Sequence, residues 1–210
     1  MGFGAISIAV AVPFVLVQHD LKRLLAYSSV EHMGIVTLAV GIGGPLALFA
    51  AAFHMFNHAL AKSLLFVAAG ALGQRYGTLR LARLRGALEV APLPALGLVL
   101  GTLAITGTPP FSPLASEFGI AQAGFAGRPG ALAGAVVLLA GSALVFAGML
   151  SHVLRVALRS APARVRSAPF PFAASFIGLP LVVLLVMGLW LPPTLRDGFA
   201  AVAEVLGVAR

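Results

Sequence analysis

The sequence predicts an all-α fold: a polytopic transmembrane helix bundle of about six spans, one of them broken mid-membrane. Three observations carry this. The 210 residues are 60% apolar and only 10% charged, where soluble domains run near ~25% charged, and the mean hydropathy is +1.04. Several stretches exceed the ~20 apolar residues needed to cross hydrocarbon. The arginines fall in short connections between those stretches. That placement sets nucleic acid aside as a partner despite a net charge of +8, because no soluble basic domain exists to carry it. Cysteine is absent, which excludes disulfides and thiolate chemistry. The five histidines and six carboxylates show no metal-ligand spacing, so no metal site is expected.

The bundle is expected over residues 1–192, with an interfacial amphipathic tail over 193–210. Residues 1–18 read as the first span, since they lack the charged start and cleavage pattern of a signal segment. With no polar segment ahead of it, the chain is expected to begin inside a longer protein. His19-Asp20-Leu21-Lys22-Arg23 is a polar connection, followed by a second span over 24–42 that carries Tyr27, Ser28, Ser29, Glu31 and His32. Gly41 to Pro45 is a turn, with Pro45 suited to open a helix. The third span covers 45–72. Residues 73–91 form an arginine-bearing loop with an interfacial helix expected in part of it.

Residues 92–124 read as one broken span. Three prolines within 109–113 cannot continue a helix. Ser112 is placed to cap a second half that starts at Pro113. Such breaks at depth occur where backbone is buried in protein or lines a cavity. Residues 131–154 and 170–191 form the last two spans, with Trp190 as an interfacial anchor. In the tail, Leu195, Phe199, Val202 and Leu206 share one face, as in a surface helix. Loops 19–23, 73–91 and 155–169 hold ten Lys/Arg residues on one side; Arg128, Arg196 and Arg210 lie on the other. The positive-inside rule puts the basic loops in the cytoplasm.

Function is concentrated in the third span. His54, His58 and Lys62 recur every four residues, so they drift by only ~40° per step and form one stripe about 12 Å long. A lysine in mid-bilayer costs at least ~2.5 kcal/mol on insertion scales. Lys62 stands roughly ten residues from either end of its span, too deep to snorkel easily. It must face protein or water, and such residues mark ion or proton paths. A neutral histidine both donates and accepts, which suits a relay; an interhelical hydrogen bond is the plainer alternative. Glu117, just after the break, sits where a helix N-terminus favours a carboxylate that can bind a proton or cation. Glu31 is placed either to accept a proton within the bundle or to reach the interface. His32 points elsewhere and is the weaker residue. Asp20, Lys22 and Arg23 suit a structural turn on the cytoplasmic side. No nucleophile–base pair, phosphate loop or dinucleotide fingerprint is present, and spacing names no driving reaction.

The runs HDLKRLLAYSSVEHMGI, HMFNHALAKSLLFVAAG and GTPPFSPLASEF resemble a known family in order and separation. They look like the proton-conducting, antiporter-like membrane subunits shared by respiratory complex I, multisubunit cation/proton antiporters and membrane-bound hydrogenases. The Glu31-His32-Met33-Gly34 form is most similar to the F component of the hydrogenase-4 and formate hydrogenlyase type. The resemblance implies a non-catalytic, multi-pass subunit of a bacterial or archaeal cytoplasmic membrane. It implies no cofactor, other membrane subunits as partners, and protons as the moving ion, with sodium as the alternative. By resemblance, Lys62 is a central channel lysine, His54 and His58 its hydrated relay neighbours, and Glu117 the charged residue of the second broken helix. Asp20, Lys22 and Arg23 match the family's cytoplasmic turn. Only the second of two inverted repeats is matched, so the resemblance implies a path whose first half lies outside this chain. Two competing readings remain: a subunit of a cation/proton antiporter without a redox partner, and a structural remnant that does not conduct.

Overall fold

The computed structural model describes residues 1–127, 129–161 and 173–208, without the side chains of Pro129, Ala173 and Val208. The basic positions Arg128, Arg164, Arg166 and Arg210, and the expected start of the sixth span at 170–172, lie outside the described residues. Among the described residues there are nine helices and no strand: α1 (Gly2–Leu16), α2 (Leu21–Ile42), α3 (Gly44–Tyr76), α4 (Ala87–Val90), α5 (Pro92–Ile105), α6 (Ser112–Phe125), α7 (Pro129–Leu158), α8 (Ala173–Leu189) and α9 (Pro193–Val208).

Three of these, α2, α3 and α7, are long and apolar enough to cross a membrane singly. The shorter apolar helices α1 and α5 fill the bundle beside them. α3 is the hub. Its 33 residues make a rod about 50 Å long, and it packs against α2, α5, α6, α8 and α9. Its core face is built from alanine and leucine: Ala61, Leu64, Leu65, Ala68 and Leu72 are all fully buried. α1 and α2 touch through glycines. A Cβ on Gly34 would stand 2.9 Å from the Gly4 carbonyl oxygen, so the two backbones can approach only because neither position has a side chain. Large apolar residues such as Ile6, Val10, Leu139 and Val182 point outward, as the outer surface of a membrane bundle requires.

Several boundaries differ from the sequence expectation. Lys22 and Arg23 are not in a loop but in the first turn of α2, because the Asp20 side chain caps that helix, accepting from the Arg23 N–H at 3.1 Å. The cap is tied to the 73–91 connection by two backbone bonds: Leu21 N–H to the Leu79 carbonyl and Leu81 N–H to the His19 carbonyl, each 2.9 Å. α3 runs on to Tyr76 before Gly77, at φ 66°, ends it. The connection that follows contains only the single turn α4.

The break between α5 and α6 is where expected, but Ser112 does not cap it. Phe111 is the N-cap residue, and the Ser112 hydroxyl instead donates to Asn57 Oδ1 at 2.8 Å. A tertiary partner has outcompeted the local cap. α8 crosses the break at Gly188, where a Cβ would have no room against the Pro110 backbone. α9 turns by 81° from α8 and packs against α3. Phe199 packs among Phe49, Phe53 and Phe56, and Ala203 is buried, whereas Val202 and Leu206 of the expected apolar face are exposed.

Candidate functional site

The polar stripe of α3 faces inward along its whole length. Lys62 is 6% exposed and His54 1%; His58 is partly buried. α2 lies across from it with Ser28, Glu31 and His32, all buried. α6 contributes Ser112, Ser116 and Glu117, also buried, and α7 presents Ser142 toward both carboxylates without reaching hydrogen-bond geometry with either.

At one end, Lys62 Nζ donates to the Leu25 carbonyl at 2.6 Å and to Ser28 Oγ at 2.5 Å. The Ser28 and Ser29 hydroxyls both turn back onto that same carbonyl, at 3.0 and 3.2 Å. One turn of α2 thus concentrates acceptors for the ammonium, which replaces part of its lost hydration.

At the other end, a hydrogen-bonded chain crosses three helices. His32 Nδ1 meets His54 Nε2 at 3.1 Å, and His54 Nδ1 meets Ser116 Oγ at 2.9 Å. Asn57 Nδ2 donates to Ser116 Oγ at 3.3 Å, and Asn57 Oδ1 accepts from Ser112. The roles of the two imidazoles depend on their tautomers, and one arrangement satisfies the whole chain. In it the Ser116 hydroxyl proton goes to the Pro113 carbonyl at 2.8 Å, and Ser116 Oγ accepts from its other neighbours. His54 Nδ1 then carries the proton, His54 Nε2 accepts, and His32 Nδ1 donates to it. His32 Nε2 lies 3.4 Å from Glu31 Oε2, and both atoms are buried without a hydrogen-bond partner. In this arrangement, with Glu31 ionised, two acceptors face one another across a gap that a single proton would bridge.

Glu117 closes the cluster. One ligand-type atom from each of His32, His54 and Glu117 lies within 4.8 Å of the others, and Glu117 Oε1 is buried without a partner. Gly107 in the helix break has φ 69°, and a Cβ there would stand 3.0 Å from Glu117 Oε2. The glycine thus serves twice: it takes a left-handed conformation, and it leaves room for the carboxylate. His32, His54 and Glu117 also form the set among the described residues with the donor types and proximity to hold a metal ion. Spacing along the chain did not reveal it, because each ligand comes from a different helix. In this structure the facing histidine nitrogens bond to each other.

The structure brings Lys62, His58, His54, Glu117 and Glu31 onto one buried axis. Glu31 does not reach an interface; it is 1% exposed, within electrostatic reach of both Lys62 and Glu117. His32 corrects the sequence reading. It joins the cluster rather than pointing away, with its ring centroid 5.2 Å from those of both His54 and His58. Sequence reasoning missed Asn57 and Ser116 as well. Asn57 lies within the α3 stripe, and its polar side chain in an apolar run was the available signal. Asp20 caps α2, and Lys22 and Arg23 are exposed at the end of the bundle, away from the axis.

A multi-pass helical bundle with buried ionisable side chains beside a broken helix defines a class of polytopic membrane protein. The chain belongs to the NADH:quinone oxidoreductase/Mrp antiporter transmembrane family, whose model matches residues 1–144. It is 35% identical over 199 residues to a hydrogenase-4 component F homolog of Methylacidiphilum infernorum, covering 93% of this chain and 40% of that relative. It is 40% identical over 129 residues to hydrogenase-4 component B of Escherichia coli, covering 56% and 19%. Among solved structures, it matches a chain of respiratory complex I from Thermus thermophilus with a TM-score of 0.86 at 25% identity, over 98% of this chain and 43% of that one. A chain of the Mrp complex from Dietzia shares the fold, with a TM-score of 0.84 at 23% identity, over 97% of this chain and 46% of that one. The chain thus spans less than half the length of these relatives.

Proposed function

We propose that this chain forms a proton-translocating segment of a hydrogenase- or complex I-type assembly, and that redox chemistry elsewhere drives it. The observation that carries the reading is the 3.4 Å approach of Glu31 Oε2 to His32 Nε2, both buried without a hydrogen-bond partner, at the head of a chain that runs to His54 beside Glu117. A proton delivered to Glu31 bridges to His32 Nε2. His32 Nδ1 then releases its own proton to His54 Nε2, and His54 becomes a donor toward Glu117, with one water or a rotamer change closing the last gap. Lys62, held on α2 near Glu31, sets the local charge: moved toward Glu31, it favours the carboxylate and drives the proton on to His32; drawn back, it lets Glu31 take up the next proton. His58 extends the stripe between Lys62 and the His32 ring.

The partners under this reading are the other membrane subunits that complete the path, and the setting is a bacterial or archaeal cytoplasmic membrane with the arginine-bearing connections inside. α9 lies at the bilayer surface with its exposed Val202, Val205 and Leu206 toward lipid. The test is Lys62→Ala in the assembled complex reconstituted into vesicles. Proton movement coupled to electron transfer should fall on the order of 100-fold. Undiminished pumping removes Lys62 from the path. A sodium requirement for transport, with no dependence on an electron donor, favours the antiporter reading instead.

A further inference from the structure

A second polar concavity lies at the basic end of the bundle, apart from the ionisable axis. Its volume is about 270 Å³, and it opens between the C-termini of α1 and α7 and the 77–86 connection. Gln18, His19, His152, Arg155 and Arg159 line it, with Leu81 at its wall. No carboxylate is among the lining residues. The acid next in sequence, Asp20, is turned onto the Arg23 amide. His152 is 8% exposed and fixed by a 3.1 Å bond from Nε2 to the Leu16 carbonyl. Arg155 is oriented by Ser151, through its carbonyl at 3.0 Å and its hydroxyl at 3.2 Å. Arg159 has no hydrogen-bond or ion-pair partner among the described residues. Two guanidinium groups therefore line a cavity with no counter-charge among the described residues, and one of them is already oriented.

The mouth of this cavity continues into an apolar track. Ile6, Val10, Phe14 and Val17 are all exposed; at steps of three and four residues they form one stripe down α1. A charged mouth above an apolar stripe fits an amphiphile: an anionic head at the arginines and acyl chains along the helix. We propose that this cavity binds the phosphate of an anionic phospholipid, with Arg155 and Arg159 holding the head group and α1 supporting its chains.

The test uses the chain purified within its membrane assembly, delipidated and then re-exposed to defined lipid. Retained lipid is read by native mass spectrometry. Phosphatidylglycerol should be retained over phosphatidylcholine, and Arg155→Gln with Arg159→Gln should reduce the retained phosphatidylglycerol about tenfold. Arg159→Gln alone, at an exposed position, should give a smaller loss of the same kind and guards against misassembly of the double variant. Arg83→Gln, in the same connection but outside the cavity, should change nothing. Equal retention by the arginine variants, or an equal loss in Arg83→Gln, overturns the proposal. Inorganic phosphate is the third probe. If millimolar phosphate occupies the site and displaces the lipid as effectively as phosphatidylglycerol does, the cavity takes a soluble anion and the assignment to lipid is wrong.

Discussion

The two ends of the α3 stripe look equivalent in sequence and differ in structure. At the lysine end, Nζ makes two hydrogen bonds within one turn of α2. At the histidine end the bonds pass between α2, α3 and α6, and four atoms of the cluster, on Glu31, His32, His58 and Glu117, are buried without partners. Closed contacts hold a charge in place. Open acceptors at the end of a hydrogen-bonded chain leave somewhere for a proton to go. An unpaired buried polar group costs about 1–3 kcal/mol, so their concentration beside a helix break points to function. Under the proposed function this difference divides the labour: the lysine end sets the field, and the histidine end carries the proton.

The strongest way to break that contrast is at Glu117. Glu117→Ala removes the acceptor beside His54, and proton movement in the reconstituted assembly should fall on the order of 100-fold. Transport that survives this change would mean that the proton leaves the histidines by another route. His32→Ala should cost about tenfold to 100-fold, since it removes the link between Glu31 and His54. If His58→Ala proves more damaging than His32→Ala, the path follows the α3 stripe alone and the crossing to α2 is structural. At the lysine end, Ser28→Ala removes one acceptor but leaves the Leu25 carbonyl. It should weaken the assembly by about 1 kcal/mol in thermal unfolding and slow transport only a fewfold. A loss as large as that of Glu117→Ala would erase the distinction between the two ends.

Much of this was legible from the chain. The four-residue recurrence of His54, His58 and Lys62 fixes a stripe on any helix, and three prolines after Gly107 fix a break on any backbone. The roles of His32 and Ser112 were not legible, for related physical reasons. Which way His32 faces depends on the rotation of α2 about its axis, and the glycine contact of Gly4 with Gly34 sets that rotation. Ser112 had two uses open to it, a local cap or a distant amide. The choice fell to Asn57, which the α3–α6 packing places 2.8 Å away. Helix periodicity gives faces within an element; the partners across elements come from packing. The tail shows the same limit. Leu195, Phe199, Val202 and Leu206 share a face by period, yet α3 selects Phe199 and Ala203 because its own Phe49, Phe53 and Phe56 offer an aromatic seat.

The smallest expected effect lies at Asp20, which tests whether the basic end is separable from the axis. Its carboxylate caps α2 through the Arg23 amide, and the adjacent backbone pairs with residues 79–81. Asp20→Ala should cost about 1 kcal/mol of stability, read as a lower unfolding temperature of the assembly. The paired backbone bonds remain, so the helix start should shift little. Because Lys62 and the histidines take their positions from α3 and from the middle of α2, proton movement per assembled complex should stay near the wild-type rate. Asp20→Asn keeps a capping oxygen and should restore most of the stability. If transport falls with Asp20→Ala and returns with Asp20→Asn, then the register of α2 is set at its capped end, and the acceptor turn around Leu25 and Ser28 is positioned from there. If transport falls in both, the carboxylate charge itself contributes to proton entry, and the turn assigned a structural role belongs to the path.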